Sequence, residues 1–338
     1  MNGAREGFCY TPQKAIMNNT AHTTILLLGG FGFLGTNLIR YIEEHCSDKY
    51  ALIVMDRFPA HPAGLQFTNI NNVYDGDFAD KTLLDRIFEE NKIDLVVHSL
   101  SATVPSSVCS NSFDMQANVL PTLQLLESMR QHNVQDILFL SSGGAVYGDV
   151  PTGEKGHSET DALYPKSAYG LSKAAIEKHL FQFSELYGFH VLILRPSNPY
   201  GPYHYSKKQG IVNIAIEKAL ANEPFEVWGN GDGKKDYIFV DDLSAIMTGF
   251  IEKGIPPFSI VNVGSGELLS VNEILHAVRN AIDKPFAWHY REANDTDVQS
   301  FKLDLTQLFT LLPIYQPTPF QQGFDKTLLW YKNSNRKD

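Results

Sequence analysis

Between residues 24 and 194 the chain alternates short runs, apolar on nearly every residue, with longer stretches of helical period. The runs fall at 24–28, 51–55, 95–98, 137–141 and 191–194; the helical patterns fall at 33–45, 81–91, 113–132 and 167–187. A strand without a polar face is covered on both sides, as in a parallel sheet sandwiched between helices. Alternation of such strands with helices implies right-handed βαβ units and an α/β, doubly wound parallel sheet. The texture changes after Arg195: prolines, glycines and aromatics crowd PSNPYGPYHY, a helix is predicted at 209–221, and 260–263 reads again as a core strand. The 338 residues suit one large unit and a smaller companion. We therefore expect a first unit of 23–198 plus about 236–264, and a discontinuous α+β unit of about 199–235 plus 265–332. Ligands of such sheets sit at the carboxyl ends of the strands, in the crevice between units.

Composition narrows the partners. The net charge of −10 removes the counterion-release drive for nucleic acid. No apolar run is long enough for a bilayer, and the three cysteines (Cys9, Cys46, Cys109) form no metal or disulfide pattern, which points to reduced thiols in a cytoplasm. No H-E-x-x-H pattern accompanies the 11 histidines, so no metal is expected. Residues 1–22 lack a signal-peptide core and read as a disordered leader.

The first strand runs into Gly29-Gly30-Phe31-Gly32-Phe33-Leu34-Gly35 and then a helix. In G-x-x-G-x-x-G, Gly29 allows the turn, Gly32 lets backbone approach a pyrophosphate, and Gly35 lets helix pack on strand. Phosphate charge then meets the open N–H groups and positive dipole end of the helix. This makes the sheet a Rossmann type. Asp56 ends the second strand, 21 residues after Gly35. A carboxylate there accepts ribose hydroxyls and repels a 2′-phosphate, favouring NAD over NADP, although neighbouring Arg57 is a cation able to meet a phosphate. Asp77 and Phe78, in DGDF, form a turn beside the adenosine position.

Tyr169 and Lys173 lie one helical turn apart in SAYGLSKAAIEK, so phenol and ammonium share a face. A free phenol titrates near 10, too high for a base at neutral pH. The expected role of Lys173 is to stabilise phenolate and bring that value down.

Together these motifs, with HSLSA, LSSGGAVYGD, YGLSK, LRPSNPYGP, KDYIFVDD and NVGSG, resemble the extended short-chain dehydrogenase/reductases of the NAD-dependent epimerase/dehydratase type, over about 24–327. Their nucleotide-sugar 4-epimerases are the best match. The resemblance implies that Gly29, Gly32, Phe33, Leu34 and Gly35 hold the pyrophosphate, and that Asp56, Asp77 and Phe78 contact adenosine. It puts Leu100 and Lys173 on the nicotinamide side, Asn118 behind the active-site helix, and Asn198 and Lys235 on the sugar nucleotide's phosphates. It also implies a homodimer.

The 4-epimerase pattern is departed from at two positions, Gly143 and Asn294. The family's hydroxyl partner of the tyrosine falls at Gly143, which leaves the role to Ser142 or to a water. The acid pair of the 4,6-dehydratases falls at Gly144 and Ala145, which cannot transfer protons. The phosphate-binding arginine falls at Asn294, which leaves Arg291, shifted by an insertion, as the candidate. A residue beside the sugar's C2 substituent in the resembling enzymes falls at Phe301, large enough to favour an unacetylated UDP-hexose over an N-acetylhexosamine. The sequence thus predicts an NAD-dependent 4-epimerase of a nucleotide-diphospho-sugar, working through a transient 4-keto sugar, with Tyr169, Lys173 and Ser142 catalytic. The rivals are a 4-ketoreductase or dehydrogenase of the same family, and a catalytically silent NAD-binding scaffold.

Overall fold

A computed structural model describes residues 22–57, 67–104, 109–149, 155–293, 298 and 300–334. The expected leader 1–22, all but its last residue, and Asn294 lie outside the described residues. The chain forms strands β1 (Thr23–Leu28), β2 (Tyr50–Asp56), β3 (Ile70–Asp75), β4 (Leu95–His98), β5 (Asp136–Leu140), β6 (His190–Pro196), β7 (Asn198–Tyr200), β8 (Phe225–Trp228), β9 (Lys234–Phe239), β10 (Phe258–Val263), β11 (Leu268–Ser270) and β12 (Trp288–Arg291). The helices are α1 (Phe33–His45), α2 (Lys81–Glu90), α3 (Asn111–Asp114), α4 (Leu120–Gln131), α5 (Gly143–Val146), α6 (Ala168–Tyr187), α7 (Ile211–Ala221), α8 (Val240–Lys253), α9 (Val271–Ala281), α10 (Thr306–Leu311) and α11 (Phe320–Ser334). A π-helical turn, Met115–Val119, joins α3 to α4.

Seven strands form one sheet in the order β10-β6-β5-β4-β1-β2-β3, every neighbouring pair parallel. Alternate residues of β1 go to opposite cores: Ile25 and Leu27 pack with α1 and α8 residues such as Ile39 and Leu243, whereas Leu26 and Leu28 pack with α4 and α6 residues such as Leu125 and Leu180. Both faces are therefore dry, which is why these strands read as unbroken apolar runs. Strand order reverses between β1 and β4, so the carboxyl ends of Leu28 and His98 flank the crevice where such sheets take ligands.

A second core gathers Tyr200, Val212, Ile216, Phe239, Ile274 and Phe324, around the sheet β11-β9-β7 and the pair β12-β8. The chain crosses between the cores later than its texture suggests. β9 belongs to the small sheet, yet its Ile238 is already buried in the first core, and α8 then packs on α1. The chain then returns once more: Leu308, in α10, is buried in the first core with Leu311 packed against it. Two apolar positions on one short helix are too faint a pattern to reveal that second return.

The glycine loop shows why packing admits nothing larger. A Cβ on Gly35 would lie 2.3 Å from the Gly29 carbonyl oxygen and 2.5 Å from the Gly30 Cα, both backbone atoms that cannot step aside. Gly35→Ala should therefore cost about 1–3 kcal/mol or more by overpacking, seen as a fall in Tm of the purified protein. An unchanged Tm would mean that α1 is free to slide on β1.

Candidate functional site

The site is assembled where β1, β2, β4 and β5 end. Gly29 adopts φ +79° and comes so close to β4's exit that a Cβ would meet the Leu100 Cα at 3.0 Å, so the glycine loop and Leu100 are neighbours. Gly32 is exposed, starts α1 as its N-cap, and makes no side-chain capping bond. The first N–H groups of α1 thus meet an open surface at the positive end of the helix dipole. Phe33 and Leu34 are half-buried, the Phe33 ring edge-on to His204 with 4.4 Å between centroids.

Asp56 faces that loop. One carboxylate oxygen accepts the Phe31 N–H at 2.8 Å and the other the Arg57 N–H at 2.7 Å; burial nevertheless pushes its carboxyl above the usual value. Arg57 pairs with Asp77, so its guanidinium is engaged beside the acid rather than waiting for a phosphate. The Asp77 carboxyl is correspondingly held below the usual range by Arg57 and by the Ala79 N–H. The Phe78 ring is 3% exposed, packed in the core 5.0 Å from His98. The loop, the uncapped helix start and the acid after β2 fit a dinucleotide.

Ser142 stands beside the Tyr169 phenol and favours its ionised form, against the larger effect of burial. Ser142 starts α5 as its N-cap but makes no capping hydrogen bond, so its hydroxyl is not spent on closing the helix end. Gly143 explains the substitution. A Cβ there would meet the Arg195 carbonyl oxygen and Leu303 Cδ1, each at 2.9 Å, so packing leaves no room for a hydroxyl residue at that position.

Lys173 is 5% exposed. Its Nζ donates to the Leu140 carbonyl at 2.8 Å, sits 4.6 Å from the Phe139 ring centroid and 5.7 Å from that of Tyr169. Burial pushes the ammonium down to about 8, against the opposing charges of Glu177 and Asp114. Burial likewise pushes the Tyr169 phenol up to about 12, Ser142 lowering it and Asp114 raising it. This corrects the expected electrostatics: Lys173 does not bring the phenol into the neutral range, because desolvation outweighs an ammonium directed at the end of β5.

Behind this face lie groups that pattern reading missed. Glu177, one turn beyond Lys173, takes Arg195 Nη2 at 2.6 Å and Nε at 3.0 Å, and accepts the Ser141 hydroxyl. Asn118 ties the segment after β4 to the end of α3: its Oδ1 accepts the Ala102 N–H at 2.8 Å, and its Nδ2 donates to Asp114 at 2.8 Å and Thr103 at 3.0 Å. Glu177 was legible as the third member of an i, i+4, i+8 series from Tyr169; Asp114 only as an acid four before Asn118.

On the opposite wall, Asn198 Nδ2 donates to the Asp236 carbonyl at 2.9 Å, Lys235 bridges to Phe301 along the backbone, and the Phe301 ring lies over Gly144. A Cβ on Gly144 would be 3.1 Å from that ring and 3.8 Å from Asn198 Oδ1. Asn198, Lys235 and Phe301 therefore converge. Arg291 does not join them. Its guanidinium pairs with Glu226 at 2.6 Å, both side chains at least half exposed, because β12 pairs with β8 and sets Arg291 opposite Trp228 at the end of that pair. Among the described residues no helix is long and apolar enough to cross a membrane, and no cluster of three His, Cys, Asp or Glu is placed to hold a metal.

Comparison with known proteins bears on this geometry. An Escherichia coli dTDP-4-dehydro-6-deoxyglucose reductase is 28% identical over 312 residues, covering 90% of this chain and 96% of that one. The crystal structure of Thermotoga maritima UDP-glucose 4-epimerase with UDP-glucose superposes with a TM-score of 0.83 at 28% identity, covering 92% and 99% of the two chains. The Thermus thermophilus UDP-glucose 4-epimerase complex with NAD gives 0.82 at 29% identity, also covering 92% and 99%. The model of the NAD dependent epimerase/dehydratase family matches residues 25–264, and the chain belongs to that family.

Proposed function

We propose that this protein is an NAD-dependent 4-epimerase of a nucleotide-diphospho-sugar, of the UDP-glucose/UDP-galactose type. The observation that carries the reading is the Tyr169 phenol beside Ser142, one turn from buried Lys173, with no acid at Gly144 or Ala145. A reductase would share the first feature; a dehydratase needs the acids. The solved relatives that bind UDP-glucose and NAD support the substrate class.

NAD, when bound, supplies the hydride acceptor at the sugar's C4 and returns that hydride later. Tyr169 takes the C4 hydroxyl proton as C4 becomes a ketone, with Ser142 aligning the phenol oxygen. Lys173 supplies fixed positive charge beside the reacting groups. Asn198 and Lys235 hold the diphosphate while the keto sugar turns; remote anchoring of this kind lets the ring swing without leaving the site. Tyr169 then returns its proton to the oxygen on C4, now of opposite configuration, and no second substrate is consumed. Phe301 stands beside the C2 substituent. The same reading includes a homodimer, supported by the exposed apolar side chains Phe113, Leu120, Phe181 and Leu186 on α3, α4 and α6, and a cytoplasmic site of action, which the unpaired thiols of Cys46 and Cys109 suit.

The purified protein should carry NAD through gel filtration and interconvert UDP-glucose and UDP-galactose in a panel of nucleotide sugars. Tyr169→Phe should keep NAD and lose roughly a hundredfold or more in kcat; wild-type turnover in that variant defeats the reading, and turnover only with added NADPH points to the reductase. Ser142→Ala should lower kcat with Tm held, whereas Gly143→Ser, which restores the family hydroxyl, should lower Tm through the 2.9 Å clashes. A Gly143→Ser protein as stable and active as wild type would show that Ser142 is not the replacement. Phe301→Ser should raise kcat/KM for UDP-N-acetylgalactosamine relative to UDP-galactose by roughly ten- to a hundredfold. An unmoved ratio removes Phe301 as the gate.

A further inference from the structure

Asp114 is a fully buried carboxylate, 0% exposed, to which the mechanism above gives no task. It ends α3, which packs on α6, the helix that carries Tyr169 and Lys173. Thr103 Oγ1 donates to one carboxylate oxygen at 2.8 Å, and Asn118 Nδ2 to the other at 2.8 Å; the Cys109 thiol lies 3.5 Å away. These donors are neutral, so they orient the carboxylate without cancelling its charge. Taking an ion fully out of water is costly, and proteins retain one where its charge meets an opposite charge nearby.

That opposite charge is on α6. The groups around Asp114 are Thr103 and Cys109 from the segment after β4, Asn118 from the π-helical turn, and Ser172 on α6, and its charge acts on Tyr169 and on Lys173, the residue next to Ser172. Lys173 faces two acids, Glu177 and Asp114, and the ring of His98, which burial, with Lys173 adding to it, pushes down to about 3 and so keeps neutral. Glu177 contributes the larger attraction, but Arg195 grips it with two hydrogen bonds. Among the described residues, the other negative charge that acts on the lysine is Asp114. Burial opposes ionisation of Asp114, and its hydrogen bonds outweigh that, holding the carboxyl below the usual range. The register follows from the π-helical turn: it widens the helix where Asn118 reaches back to Asp114, and Thr122 Oγ1 takes up the Asn118 carbonyl at 2.7 Å.

We propose that Asp114 is a positioning residue whose buried charge, held by Thr103 and Asn118, balances the Lys173 ammonium and sets the pH range over which Tyr169 and Lys173 work. The proposal rests on the reading that Tyr169 and Lys173 are the reacting pair. Removing a negative charge makes protonation of every neighbour less favourable, so Asp114→Asn should move Lys173 and Tyr169 in the same direction, toward lower pH.

The test uses NAD-loaded protein and two readouts that need no turnover. Ultraviolet titration of the Tyr169 phenol, taken as the difference from Tyr169→Phe, should move to lower pH by roughly half to one unit in Asp114→Asn. Loss of NAD on raising the pH, which follows deprotonation of Lys173, should begin earlier by a similar interval. The kcat profile with UDP-galactose should shift as a whole, both limbs toward acid, where a structural lesion would lower it without displacing it. Asp114→Glu, which keeps the charge, should restore the wild-type positions. Unmoved titrations in folded Asp114→Asn overturn the proposal. Should that variant not fold, carbon-13 NMR of aspartate-labelled wild type decides: a carboxylate at neutral pH is expected, and a protonated Asp114 overturns the proposal. The underlying reading fails separately, through wild-type turnover in Tyr169→Phe.

Discussion

The buried Arg195–Glu177 ion pair is the interaction on which the site's geometry depends. Arg195 is the residue before the end of β6 and only 2% exposed. Besides Glu177 on α6, its guanidinium donates to Tyr147 Oη at 2.7 Å and to the Glu159 carbonyl at 3.2 Å. Tyr147 in turn donates to Asn262 on β10 at 2.7 Å, and Asn262 Nδ2 reaches the His157 carbonyl at 2.8 Å. One cation thereby joins the sheet, α6, the turn after β5 and the segment around His157. Buried pairs add little net stability over apolar packing, whereas loss of one partner typically costs about 3–5 kcal/mol. The value of this pair lies in register: α6 cannot rotate or slide without stranding a charge, so Tyr169 and Lys173 keep their place above the carboxyl end of β5.

Burial at that place has opposite effects on the two reacting groups. It pushes the Tyr169 phenol up to about 12 and the Lys173 ammonium down to about 8, in each case favouring the neutral form. Bringing a phenol from about 12 to neutral pH requires about 7 kcal/mol at about 1.4 kcal/mol per unit. One neighbouring charge supplies about 1–3 units, so no single lysine closes the gap. The same dry surroundings, however, strengthen every Coulomb interaction within them. In the proposed reading, a cationic nicotinamide ring would act on the phenol at greater strength than in water, and Tyr169 would serve as the base with the site filled.

Much of this was legible in the sequence. All-apolar runs revealed the strands because both sheet faces are covered, and the glycine loop and Tyr169–Lys173 pair are local patterns whose geometry follows from one turn or one helix. What stayed hidden is set by residues far apart in the chain. Leu303 and the Arg195 carbonyl fill the space at Gly143 from 160 and 52 positions away, so the missing hydroxyl looked like an open question about Ser142. Arg291 looked available until β12 paired with β8 and delivered it to Glu226. The pKa directions were beyond reach because spacing shows which groups meet but not how much water they lose.

The segment from Ser300 to Leu305 then connects packing to chemistry. Phe301 lies over Gly144 and Leu303 over Gly143, and both belong to one small apolar cluster with Val146 and Tyr147. Side chains at 143 and 144 and bulky side chains at 301 and 303 thus compete for one volume. Acids at 144 would have to displace the Phe301 ring, and a hydroxyl residue at 143 would have to displace Leu303 or the β6 backbone. Protein interiors are packed too tightly to hold both sets. With the space filled from the 300–305 side, the proposed reading keeps chemistry that needs no acid at 144 and takes the phenol's hydroxyl partner from the position beside Gly143, Ser142.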